Sequence, residues 1–191
     1  MTVCDTELLN RRRTEILKVA LDCFVAKGFV ATTMADIAKA AGMSVGNLYN
    51  YFSGKSDIVS ALAEEEICRT NQTLQKMFSG RMTEDERYEL LLEHIRERLN
   101  SVRARLTMEI VLETTRNEEL ARIVRQWDAR VHAAIRECRL AFGDSQEGLD
   151  LTIRADQALL DGVVFHALMQ PDNFDVQAFA RVVADRIHGK K

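Results

Sequence analysis

One proline, Pro171, is all that interrupts 191 residues. Proline fixes φ and lacks the N–H that a helix interior needs, so a chain nearly free of it can run helix after helix. The nine glycines are too few to break that pattern. Leu, Ala, Arg, Glu and Ile dominate most segments and are compatible with long helices. Apolar residues recur at three- and four-residue spacing, and no segment shows the clear period-two alternation of a strand. The chain reads as all-α, with about nine helices.

Residues 1–10 lack a helical pattern and read as a loose arm. From Arg11 to Lys27, Ile16, Leu17, Ala20, Leu21 and Phe24 share one face, and Gly28 closes that helix. Thr33, with Asp36 three residues on, opens a second helix in a capping-box arrangement. Gly42 ends it. Ser44 caps a short third helix, and Ser53-Gly54 breaks it. A long fourth helix follows, with Ile58, Leu62, Ile67, Leu74 and Met77 as its apolar stripe. Ser79-Gly80 interrupts the chain, and Thr83 with Glu86 opens a helix to about Asn100. Further helices are expected at about 105–115, then 118–142 behind an Asn117 cap, 152–169 and 174–188.

The stretch from Thr33 to Phe52 carries the functional signal. It reads as two short helices around a tight turn, with Ile37, Ala41, Met43, Leu48 and Phe52 as apolar contacts. Ala38 is small enough for the helices to cross closely. This is the geometry that presents a second helix to the DNA major groove. Ser44 would set free N–H groups at a helix N-terminus, a natural phosphate site. Val45 and Gly46 are small, so the helix can approach base edges. Asn47, Tyr49, Asn50 and Tyr51 offer uncharged hydrogen-bonding groups, and Lys55 stands within reach of a phosphate. Arg11, Arg12, Arg13, Lys27 and Lys39 would add a positive surround that supplies affinity without sequence choice. Charge distribution agrees in sign. The net charge is −3, yet residues 1–56 hold seven Lys or Arg against five Asp or Glu.

At these residues the sequence resembles the TetR family of bacterial repressors. The likeness covers residues 11–62, through Lys27-Gly28-Phe29, Thr32-Thr33, Ile37-Ala38, Ala41-Gly42-Met43-Ser44, Gly46, Leu48-Tyr49, Tyr51-Phe52, Lys55 and Leu62. Met43 replaces the more usual valine, and Asn50 holds a position that varies freely. The resemblance implies a homodimer with a DNA-binding part, residues 1–55, and a helical effector-binding and dimerisation part, residues 56–191. It implies DNA contacts at Thr33, Ser44, Val45, Gly46, Asn47, Tyr49, Asn50, Tyr51 and Lys55. The expected partner is double-stranded DNA, a palindromic operator that a small-molecule effector releases. The alternative is a DNA-binding regulator with no small-molecule effector.

Beyond residue 62 the likeness is architectural. The helix at 152–169 is apolar on more than one side, through Ala158, Leu159, Leu160, Val163, Val164, Phe165, Ala167 and Leu168, and needs cover on most sides. A second subunit packed on the last two helices would supply it. By analogy the effector would lie among Met77, Met108, Glu109, Trp127, Asp161, Phe165 and His166, with Glu113 a further polar candidate.

Other function classes lack their signatures. No nucleophile elbow, phosphate loop or HExxH motif occurs, so catalysis is not expected. Cys4, Cys23, Cys68 and Cys138 are far apart, and the histidines make no ligand spacing, so neither metal nor cofactor is expected. No apolar run is long enough to span a membrane. The N-terminus lacks the pattern of a secretory signal, so the expected location is the cytoplasm.

Overall fold

The computed structural model describes residues 3–78, 80–99, 101–141 and 143–188. Among them are nine α-helices, one turn of 3-10 helix at Pro171–Asn173, and no strand. In chain order the helices are α1 Val3–Lys27, α2 Met34–Ala40, α3 Val45–Tyr49, α4 Lys55–Met77, α5 Glu84–Arg98, α6 Ser101–Glu113, α7 Glu118–Ala141, α8 Leu149–Met169 and α9 Val176–His188.

The helix starts follow the caps written in the sequence. Reciprocal capping boxes form at Thr33 with Asp36 and at Thr83 with Glu86. Ser44 accepts the Asn47 N–H at 3.1 Å, and Asn117 accepts the Leu120 N–H at 3.0 Å. Each satisfies a donor that the first helical turn leaves orphaned.

Four starts differ from the sequence expectation. The arm is helical from Val3, eight residues before Arg11. Residues 3–10 hold no glycine or proline, and extension of a formed helix is cooperative. Similarly, α6 begins at Ser101 and α8 at Leu149, whose buried side chain draws the extra turn into the core. In contrast α9 starts late. Asp175 accepts the N–H groups of Gln177 and Ala178, so it caps a helix that begins at Val176. Met1, Thr2, Ser79, Asn100 and Phe142, also part of the sequence reading, lie outside the described residues.

Packing divides the chain into two compact units that do not follow chain order. One takes residues up to Glu66 together with Glu109–Arg125; the other takes Ile67–Met108 and residues from Gln126 onward. In the first, Ile16, Leu17, Ala20 and Phe24 of α1 are buried together with Ile37 and Ala38 of α2, Leu48 of α3, Phe52 and Ile58. Each large side chain among them contributes about 1.5–3 kcal/mol by leaving water. In the second, Leu92 and Ile95 of α5 and its C-cap Leu99 form a core with Leu160, Val163, Val164 and Ala167 of α8 and Ala180, Val183 and Ala184 of α9. Tyr88 donates to Asp185 and Arg96 to Gln177, both at 2.8 Å, tying α5 to α9.

The expectation that α8 is apolar on several sides is met in an informative way. One side packs into that core, while Leu151, Leu159, Phe165 and Met169 stay exposed, as do Phe179 and Val182 of α9.

Candidate nucleic-acid interface

The turn between α2 and α3 is built by backbone hydrogen bonds. The Met43 N–H reaches the Ala38 carbonyl at 3.0 Å and the Gly42 N–H reaches that of Lys39 at 3.2 Å. This paired closure requires a left-handed residue between them, and Gly42 supplies it at φ +65°. Ala38, Ile37, Leu48 and Phe52 are buried at the helix crossing, while Ala41 and Met43 are half-buried.

With Leu48 turned inward, the rest of α3 faces solvent. Ser44, Val45, Gly46, Asn47, Tyr49 and Asn50 are all exposed, and Tyr51 is half-buried. Tyr49 is 52% accessible although it carries a large ring. Gly46 is informative by what surrounds it: a Cβ built there meets nothing within 4 Å. The fold itself gives this helical position no reason to lack a side chain. Thr33 is also exposed, but its hydroxyl serves its own cap, donating to Asp36 Oδ2 at 2.7 Å and accepting the Asp36 N–H at 3.1 Å.

Several cations of the expected positive surround have internal tasks. Arg12 donates to the Ala41 carbonyl at 3.1 Å and pairs with Glu15 at 2.9 Å; Arg11 also reaches Glu15, at 3.4 Å. Arg13 donates to the Tyr51 carbonyl at 2.9 Å, and its guanidinium stands 4.2 Å from the Phe52 ring centre. Arg12 therefore caps the C-terminal end of α2, where cations complement unpaired carbonyls, and Arg13 holds the carbonyl just past the C-cap of α3. A signal for this was present. Arg13, Leu17, Ala20 and Phe24 share one helical stripe, so Arg13 continues the buried face of α1. Lys27 bonds Asp36, and together with the Thr33 hydroxyl and N–H it holds that carboxyl well below the usual carboxylate range. Lys39 is exposed.

Lys55 sits at the first residue of α4. Its ammonium donates to the Phe29 and Val30 carbonyls at 2.8 and 3.1 Å and lies 4.7 Å from the Phe29 ring centre. Burial pushes its pKa down, and the carboxylate of Glu113 opposes that.

The model for bacterial regulatory proteins of the tetR family matches residues 16–62, and that for the tetracyclin repressor-like C-terminal domain matches residues 82–189. The chain belongs to the TetR family. Over 58 residues it is 43% identical to the repressor KstR2 of Rhodococcus jostii, covering 30% of this chain and 28% of KstR2. Over 185 residues it is 26% identical to the regulator TtgR of Pseudomonas putida, covering 89% and 86%. The match spans less than half the length of the first curated relatives. The fold matches that of the Bacillus subtilis regulator FadR, crystallised with stearoyl-CoA, with a TM-score of 0.74 at 18% identity, covering 93% and 98%.

Within this TetR fold the expected effector residues have differing surroundings. Met108 packs against the core of the second unit, and Met77 and Trp127 are half-buried. Asp161 is exposed and pairs with Arg98 at 2.9 Å. Phe165 and His166 are both exposed, in edge contact at 5.9 Å. Glu109 accepts the Phe29 N–H at 2.8 Å, a contact across 80 residues that no local pattern announces. A groove of about 540 Å³ in the second unit is lined by Gln72, Gln75, Lys76, Arg81, Met82 and Leu90. Among the described residues no cluster of His, Cys, Asp and Glu could hold a metal, and no helix is long and apolar enough to cross a membrane.

Proposed function

We propose that this TetR-family regulator is a repressor that binds a palindromic operator as a homodimer and leaves it when a small molecule binds. The exposed face of α3 carries the reading. Four of its five residues and both its caps, Ser44 and Asn50, face solvent, and the one glycine among them has no internal cause. A helix free of bulk at its N-terminal end suits close approach to base edges. Tyr49, Asn47 and Asn50 would read bases. Ser44, Thr33, Tyr51 and the remaining N–H of Lys55 would meet the backbone, and Val45 and Gly46 would lie against the groove.

The exposed apolar face of α8, with Phe179 and Val182 of α9, supports dimerisation through the last two helices. A two-fold dimer presents two recognition helices to half-sites of the same symmetry, about one DNA turn or a multiple apart. Support for an effector comes from the stearoyl-CoA held by the FadR relative. The experiment is selection of duplexes from a randomised pool by the purified protein, followed by footprinting. A palindromic footprint is expected. Selection of an asymmetric site by a monomer would defeat the reading. A palindrome whose binding no metabolite relieves would favour a regulator without an effector.

A further inference from the structure

We propose that Glu109 is a positioning residue for operator binding: its carboxylate and the Lys55 ammonium hold the Phe29 backbone by its N–H and its carbonyl and set the entry of the chain into the helix-turn-helix. The proposal rests on the DNA-binding reading above.

The grip is specific. At the end of α1 the chain leaves the helix at Gly28, whose N–H still bonds the Phe24 carbonyl at 2.8 Å. The next N–H, that of Phe29, points instead to Glu109 Oε2 at 2.8 Å. The carbonyl of the same residue accepts from Lys55 at 2.8 Å. One residue thus donates to an anion and accepts from a cation, and hydrogen bonds to ionised partners are about twice as strong as neutral ones. The Phe29 ring is buried and tilts against Phe24 at 5.3 Å. Gly28 is required twice over. It stands at φ +86°, and a Cβ there would lie 2.9 Å from Glu109 Oε2. Its carbonyl is engaged too, within 2.7 Å of the buried Thr32 hydroxyl.

Position gives the grip its consequence. Four residues after Phe29 comes Thr33, the N-cap of α2, so a displaced Phe29 peptide is passed directly to the helix-turn-helix. Glu109 lies on α6, and the boundary between the two compact units falls between Met108 and Glu109.

The sign of the effect separates this role from that of a bystander acid. Removing a negative charge from a DNA-binding unit strengthens DNA affinity if the field alone matters. Removing the grip weakens it. The probe is the best duplex selected from a random pool by the wild-type protein, measured by fluorescence anisotropy at several salt concentrations. Glu109→Ala is expected to bind about 10-fold more weakly. Its salt dependence should be unchanged, because no phosphate contact is lost. Glu109→Gln keeps an acceptor oxygen and should recover affinity to within about threefold. Exchange of the Phe29 amide proton should quicken in Glu109→Ala and stay slow in Glu109→Gln. If Glu109→Ala does not fold, Glu109→Asp keeps the charge but shortens the reach, and should show the same weakening. Equal or tighter binding by the Ala or Asp variant overturns the proposal, as does a Gln variant as weak as Ala. Failure of the wild type to select any duplex would overturn the DNA-binding reading instead.

Discussion

Gly46→Ala should make the protein more stable and bind DNA worse. Gly46 is the second residue of α3, behind the Ser44 cap. In a helix interior alanine is favoured over glycine by about 1 kcal/mol. Close to the end of a five-residue helix, about half of that is a fair expectation. For a chain of this size it raises Tm by about 1–2 °C. Nothing within 4 Å opposes the added methyl, so no steric term offsets the gain. In the DNA complex the same methyl would enter a packed interface, where excess volume costs about 1–3 kcal/mol. The middle of that range is a loss of about 30-fold in affinity. Thermal melting and anisotropy titration on a selected duplex give the two numbers. The salt dependence should not change, because no cation is removed. A variant that melts higher and binds DNA as well as wild type would refute placement of the α3 N-terminus against the groove. A variant that melts lower would refute the claim that Gly46 has no internal role.

Gly42→Ala should do the opposite to stability, because φ +65° costs an L-residue about 1–2 kcal/mol; an unchanged melting curve would contradict the turn geometry. Phe165→Asp places a charge on the exposed face of α8, where the ring is 51% accessible, so sedimentation should shift from dimer to monomer without loss of helical signal. A dimer that persists would move the interface elsewhere. Asp36 has its pKa lowered chiefly by the Lys27 hydrogen bond and then by Thr33. Its contribution to stability is therefore fully present above the ordinary carboxyl pKa of about 4 and is lost as pH falls from there toward the folded value. Denaturant titrations of Asp36→Asn should show a shallower acid dependence below about pH 4 than wild type; parallel curves would exclude this role.

What the sequence made legible is what depends on neighbours in the chain. The caps at Thr33, Ser44, Thr83 and Asn117 each act over three residues, so their signal is local. The turn at Gly42 and the buried face of α1 are local in the same sense. Glu109 belongs to the other class. Its partner lies 80 residues away, and a lone glutamate on a helix looks the same whether it meets solvent, a ligand or a peptide N–H. Arg12 and Arg13 were ambiguous for a different reason. A cation near a helix-turn-helix suits both the DNA phosphates and the carbonyls at helix ends, and composition cannot separate the two. Their bonds to Ala41 and Tyr51 identify a structural task. The positive charge at this end of the chain is therefore a weaker guide to DNA affinity than the count of lysines and arginines implies.

The apolar surplus of α8 shows how periodicity and packing divide the work. Period alone reports that this helix has more than one apolar side, and it cannot say which side the chain itself covers. Packing decides. Leu160, Val163, Val164 and Ala167 turn inward with α5 and α9. The residues left outward include Leu151, Ala155, Ala158, Gly162, Phe165 and Met169, which alternate four and three apart. That is the spacing of a seam between two helices. Three of the six are Ala or Gly, small enough for a second backbone to come close. A seam of this kind favours a helix over a flat surface or a flexible segment as its occupant. In the proposed homodimer the matching face would be α8 of the second copy, because a two-fold contact sets each residue of the seam against the same set. On that argument the substitution that matters most is at the small positions. Gly162→Leu should separate the subunits as effectively as Phe165→Asp, with no charge introduced and nothing outside the helix's own backbone within 4 Å of the added Cβ. Sedimentation decides between them: a dimer that tolerates Leu at 162 while failing with Asp at 165 would mean that the helices meet at Phe165 but diverge at the centre.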